Sequence, residues 1–130
     1  MSVVADGVIV DEKSHLASIF NIAENINAAG FPVMVQHLTF MCIWEYEEPA
    51  PRQVTGTLTV EQGDRIFIRQ NVSIDFRVND RMRTIMNVQG LTFDRPGRVT
   101  FKVTIPDQAT GTYDIMITPM APQAAVNDPG

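Results

Sequence analysis

Thiol, imidazole and ammonium groups are scarce in this 130-residue chain: it has one cysteine, two histidines, and only Lys13 and Lys102 as lysines among ten basic residues. A lone cysteine closes no internal disulfide, so nothing points to an oxidising compartment. Cys42 stands in the apolar run Phe40-Met41-Cys42-Ile43-Trp44, where a thiol behaves as a small hydrophobe and is read as a packing residue. His15 and His37 lie far apart, neither beside a second His or Cys, so the spacing of a zinc site is missing. Long hydrophobic runs are missing too, and no stretch approaches the roughly 20 apolar residues that span a bilayer. The opening Met1-Ser2-Val3-Val4-Ala5-Asp6 has no basic region and is not read as a secretory signal. The expectation is a cytoplasmic protein without membrane association.

The signatures of common chemistries are equally absent. There is no glycine-rich phosphate loop, no Gly-x-Ser-x-Gly elbow and no His-Glu-x-x-His. Carboxylates recur in turn regions (Asp6, Asp11 and Glu12, then Asp64, Asp80, Asp94 and Asp107), but no Asp-x-Asp cluster offers the six to eight oxygens that calcium takes. They are read as turn formers, and neither metal nor cofactor is expected. No nucleophile has an adjacent base, so an enzyme is the least favoured class.

What is present is a globular composition, 45% hydrophobic and 19% charged, in a chain long enough for one core without disulfide or metal staples. Its dominant period is two, the spacing of a half-buried strand. Val72, Ile74, Phe76 and Val78 alternate with Ser73, Asp75 and Arg77; Val99, Phe101, Val103 and Ile105 alternate with Arg98, Thr100, Lys102 and Thr104. Val54, Leu58 and Val60 oppose Thr55, Thr57, Thr59 and Glu61, with Gln62-Gly63-Asp64 as a hairpin loop into residues 65–68. Residues 33–46 read as a central strand, apolar on both parities; residues 3–10, 84–93 and 111–118 read as further strands, with Gln89-Gly90 suited to a bulge or bend. Residues 15–26 fit either a strand or a helix poor in helix formers. The pattern predicts an all-β, antiparallel sandwich of about eight strands with Greek-key or jelly-roll connections, immunoglobulin-like or C2-like, over residues 1–120. Residues 121–130, without alternation and rich in turn formers, are expected to be a flexible tail.

The segments Ala5-Asp6-Gly7-Val8, Asp11-Glu12-Lys13, Ile19-Phe20-Asn21-Ile22, Phe31-Pro32 and Leu38-Thr39-Phe40 resemble an uncharacterised bacterial family of small β-sandwich proteins. Leu91-Thr92-Phe93 and the run from Pro96 to Val103 are similar to that family's closing hairpin, so the resemblance covers residues 3–119. It implies strand for residues 15–26 and carries no activity and no catalytic residues.

The net charge of −5 argues against binding nucleic acid through bulk positive charge. That average hides an asymmetry: residues 1–51 carry one base against seven acids, residues 52–102 nine against five, and residues 103–130 none against three. The middle excess is arginine, whose planar fork suits carboxylates and phosphates. Arg65, Arg69, Arg77, Arg81 and Arg83 are therefore the candidate interaction surface, with Arg69 and Arg77 on the outward parity of one strand. Such a patch would meet an acidic protein, a phosphorylated ligand or the acidic N-terminal portion of a second copy. The leading expectation is a non-enzymatic structural or protein-interaction sandwich that forms homo-oligomers. The alternative, a small-ligand or carbohydrate-binding module, needs exposed aromatics, for which Trp44, Tyr46 and Phe67 are the candidates.

Overall fold

The computed structural model describes residues 1–10, 13–14, 17–106 and 109–120. Among them run nine strands: β1 (Ser2–Val10), β2 (Ala17–Ile22), β3 (Asn25–Ala28), β4 (Val33–Glu45), β5 (Gln53–Gln62), β6 (Arg65–Asp75), β7 (Arg81–Phe93), β8 (Gly97–Ile105) and β9 (Ala109–Pro119). They form a four-stranded sheet in the order β2-β1-β4-β7 and a five-stranded sheet in the order β3-β9-β8-β5-β6. The all-β expectation holds: residues 17–22 and 25–28 are strand, and no helix occurs among the described residues.

Three expectations change in detail. Residues 17–28 are two strands, because the chain leaves β2 at Ala23 and enters the other sheet as β3. β3 then runs parallel to β9, from Asn25↔Met116 to Ala28↔Pro119, in a fold otherwise antiparallel. The pattern read across Val72 to Val78 stops early, since β6 ends at Asp75. There the Asp75 carboxylate accepts from the Arg77 backbone N–H at 2.9 Å, and Phe76 donates its N–H to the Arg52 carbonyl at 2.6 Å. Phe76 stays buried, whereas Val78 is 95% exposed.

The core lies between the sheets and draws on both. Leu38, Phe40, Cys42 and Trp44 of β4 and Met86 and Val88 of β7 face Leu58 and Val60 of β5, Val99, Phe101 and Val103 of β8, and Ile115 and Ile117 of β9. Phe40 meets Phe101 across the gap, with ring centroids 5.7 Å apart. Phe67 packs on Phe93 at one end, at 5.1 Å, and Tyr46 packs on Phe76 at the other, at 5.7 Å. Both end pairs are edge-on, the arrangement that the ring quadrupoles favour.

The bend expected at Gln89-Gly90 is a change of phase shared by two strands. Met86 and Val88 point into the core, and so do Leu91 and Phe93, although these pairs are of opposite parity. In β4 the same change separates Val33 and Val35 from Leu38 and Phe40. Because both strands change together, the register stays aligned from Val33↔Phe93 to Glu45↔Arg81. Gly90 has φ +70°, a left-handed backbone that costs a residue with a Cβ roughly 1–2 kcal/mol.

β9 approaches the four-stranded sheet closely at Gly111, where an added Cβ would lie 2.8 Å from Ser2 Oγ, 3.2 Å from Cys42 Sγ and 3.2 Å from the Trp44 ring. Gly111→Ala is expected to cost about 1–3 kcal/mol through overpacking, and Phe101→Ala about 3–5 kcal/mol through the cavity it leaves. Chemical denaturation with an unchanged slope checks both values.

Candidate interaction surface

The five arginines singled out by charge all lie on β6, on β7 or on the segment that joins them. These two strands are the edges of their respective sheets, and they meet at the Phe67–Phe93 contact. One side of the sandwich is thus bounded by strands of 11 and 13 residues, spans of roughly 35–45 Å. Among the described residues, β6 pairs only with β5 and β7 only with β4. Their outer N–H and C=O groups therefore lack a ladder partner, which makes such edges templates for a further strand.

The arginines share this side but not one face. Arg69 stands opposite Thr59 on the outer surface of the five-stranded sheet, beside the Glu61–Lys102 ion pair. Arg81 and Arg83 alternate with the inward Met82 and Thr84, and so stand on the outer surface of the other sheet, opposite Glu45 and Ile43. Arg65 lies at the hairpin end, paired to Asp94 at 2.7 Å and stacked 4.8 Å above the Phe67 ring. Arg77 lies beyond β6 in the connecting segment, where it folds back on Asp75 through two guanidinium nitrogens at 2.8–3.1 Å. Sequence parity placed Arg77 beside Arg69, and the end of β6 at Asp75 separates them.

Local pairing offsets much of the positive excess. Arg52 pairs with Asp80 and lies over the Tyr46 ring, Arg95 reaches Asp94, Arg98 reaches Asp114, and Lys102 reaches Glu61. The Arg77 guanidinium, followed by its backbone N–H, holds the Asp75 carboxyl below the usual range. Lys102 does the same to Glu61, with smaller help from Thr59 and Arg69 against the opposing effect of burial. Exposed pairs of this kind contribute little to stability, but they set where charge is left over. Apolar groups remain on the same side: Ile66 of β6 is 45% exposed and Ile85 of β7 is 37% exposed.

The other residues considered for chemistry have structural positions. Cys42 is buried, accepts a hydrogen bond from the Ser2 hydroxyl at 3.5 Å, and has its thiol pKa pushed up by burial. Trp44 is buried and donates its indole N–H to Thr84 Oγ1 at 3.0 Å; Tyr46 donates its hydroxyl to the Ala50 carbonyl; Phe67 is half-buried against Phe93. His37 places Nδ1 3.0 Å from the Asp6 carbonyl and Nε2 3.3 Å from Asn87 Oδ1. Among the described residues no group of three or more His, Cys, Asp or Glu is placed to hold a metal ion, and no helix is long and apolar enough to cross a membrane. His15, Asp11, Glu12, Asp107 and the segment 121–130 lie outside the described residues.

Clefts also open elsewhere on the described residues. One of about 600 Å³ lies among Trp44, Tyr46, Glu47, Glu48, Phe76 and Ile105. The other, about 690 Å³, lies among Asp6, Ile22, Ile26, Met34, Val35 and His37. Sequence reasoning missed both, because each gathers residues that are distant along the chain.

Fold and surface together define a small all-β domain of two facing sheets with two long edge strands side by side. The chain belongs to DUF6941, a family of unknown function whose family model matches residues 1–118. No curated protein and no solved structure matches it.

The Glu61–Lys102 pair supplies a direct check of the surface electrostatics. Because the folded pKa of Glu61 is depressed, its contribution to stability is present above the unfolded carboxylate pKa and is lost as pH falls through the folded value. In Lys102→Met, the Glu61 titration followed by NMR is expected to move up toward the ordinary range. The stability gap to the parent chain should then narrow on acidification.

Proposed function

We propose that this domain is a non-enzymatic protein-interaction module that associates with a second copy of itself along the β6–β7 side. The observation that carries the reading is the juxtaposition of the two longest edge strands, with no partner strand on either among the described residues. A second chain that pairs with one edge satisfies backbone groups over several residues at once, and the alternate side chains then decide which chain fits. Ile66 and Ile85 provide apolar contact on the two edges. Arg69 and Arg81 provide charge that meets an acidic neighbour, and the first 51 residues of a second copy carry seven acids against one base.

Other features fit this reading. The chain passes between sheets from β2 to β3, β3 to β4, β4 to β5, β6 to β7 and β7 to β8, which suits a Greek-key sandwich. Trp44, Tyr46 and Phe67 are engaged in packing or hydrogen bonds, so the ligand-binding alternative lacks a ready aromatic platform. A reducing, cytoplasmic setting suits a chain whose cysteine is free and buried.

Size-exclusion chromatography with light scattering across a dilution series is expected to show a reversible oligomer. The double substitution Ile66→Lys with Ile85→Lys should raise its dissociation constant at least tenfold, about 1.4 kcal/mol, while the far-UV spectrum and melting transition stay unchanged. A chain that is monomeric at the highest attainable concentration, or an oligomer indifferent to both lysines, overturns the proposal.

A further inference from the structure

The four-stranded sheet ends in an unpaired edge on its other side as well. Among the described residues β2 pairs only with β1, just as β7 pairs only with β4. Neighbouring strands are antiparallel throughout this sheet, so β2 and β7 at its two ends run in opposite directions. A second copy set beside the first in the same orientation therefore brings its β2 antiparallel to the first copy's β7. Such edges are templates for one another.

We propose that the β7 edge of one copy pairs with the β2 edge of the next, head to tail, so that the four-stranded sheet continues from chain to chain. This contact rests on the self-association proposed above and identifies which surface of the second copy takes part in it. Register supports the match. Ile22, Ala5, Thr39 and Asn87 form one row across the sheet, and residues of one row share a face. Asn87 points outward between the inward Met86 and Val88, so Ile22 and Ile85 lie on the same outer face. They are two residues apart along the strands, about 7 Å. A slip of two residues between copies thus brings Ile85 opposite Ile22 and keeps every side chain on its own face. Both side chains are accessible, Ile22 being 54% and Ile85 37% exposed. Farther along, the sheet opens: β1 beyond Ala5 pairs with β2 alone, and β4 before Thr39 pairs with β7 alone. The Ile22 end of β2 is the part still in line with β4 and β7, and the contact is centred there.

Charge favours this arrangement over a two-fold one. β7 carries Arg81 and Arg83 and no acid, so two β7 edges brought together set like charges side by side. β2 and the exposed Glu24 that follows it carry one acid and no base, and residues 14–51 contain neither Lys nor Arg. With Ile85 opposite Ile22, the basic start of β7 comes near the level of Glu24. Because two different surfaces meet, each pair of copies keeps one edge of each kind open, and association continues beyond a pair.

Ile85→Lys alters one surface and Ile22→Lys the other. In light scattering each variant alone is expected to show a dissociation constant raised at least tenfold. An equimolar mixture is expected to restore association close to the parent value but to stop at pairs, since the unaltered β2 edge of one variant meets the unaltered β7 edge of the other. Glu24→Lys probes the same edge as Ile22→Lys and takes its place in the mixture if that variant loses the parent's far-UV spectrum. A parent chain that oligomerises while Ile22→Lys and Glu24→Lys leave its association unchanged, or a mixture that stays dissociated, overturns the head-to-tail contact and leaves self-association through β6 and β7 standing. A parent chain that is monomeric overturns both proposals, so the two failures are told apart.

Discussion

The contact between Phe40 of β4 and Phe101 of β8 joins interior strands of the two sheets, and both side chains are fully buried. With these rings turned inward, alternation fixes the direction of the neighbouring residues on each strand, since a slip of one residue would turn every side chain to the opposite face. On β8 this sends Arg98, Thr100, Lys102 and Thr104 outward, and on β5 it sends Thr55, Thr57, Thr59 and Glu61 outward. The polar skin of the five-stranded sheet is thus a consequence of its core. Moving either ring would expose apolar groups and bury ion pairs together.

The charged residues work within that constraint. A guanidinium near a strand edge discourages indiscriminate pairing, because a second copy brings like charge to the same place. Arg65 and Arg77 are held by Asp94 and Asp75, which limits the charge they present. Ile66 and Ile85 leave apolar side chains partly exposed on the same two strands. Paired charge and exposed apolar groups therefore share this side of the sandwich.

Much of the architecture was legible in the sequence because period-two alternation is a direct image of a strand with one buried face. The segments Val54 to Glu61, Arg98 to Ile105 and Gly111 to Thr118 all lie within strands of the structure. Alternation is blind to pairing partners, so the parallel association of Asn25–Ala28 with Met116–Pro119 left no trace in it. It also continues past a strand end: Phe76 keeps its inward direction after β6 has stopped, and only Val78 breaks the pattern by lying in solvent. For the surface, composition identified the arginines but not their distribution, because Arg69 and Arg81 belong to different sheets. That the two sheets place β6 and β7 side by side is a property of the complete topology, visible only when Phe67 meets Phe93.

The phase change shared by β4 and β7 links the core to the opening in the four-stranded sheet. If β4 kept the parity of Leu38 and Phe40 back to its start, Met34 would point into the core and Val33 and Val35 to the outside. The observed arrangement is the reverse: Val33 and Val35 pack on the core while Met34 stands exposed at the cleft. The partner strand follows without losing register because Gly90 adopts φ +70° at the matching place. One glycine thus allows Leu91 and Phe93 to remain in the core, and the same turn of the strand pair gives the cleft its apolar wall. The opening beside β4 is thus built into the packing of the sandwich.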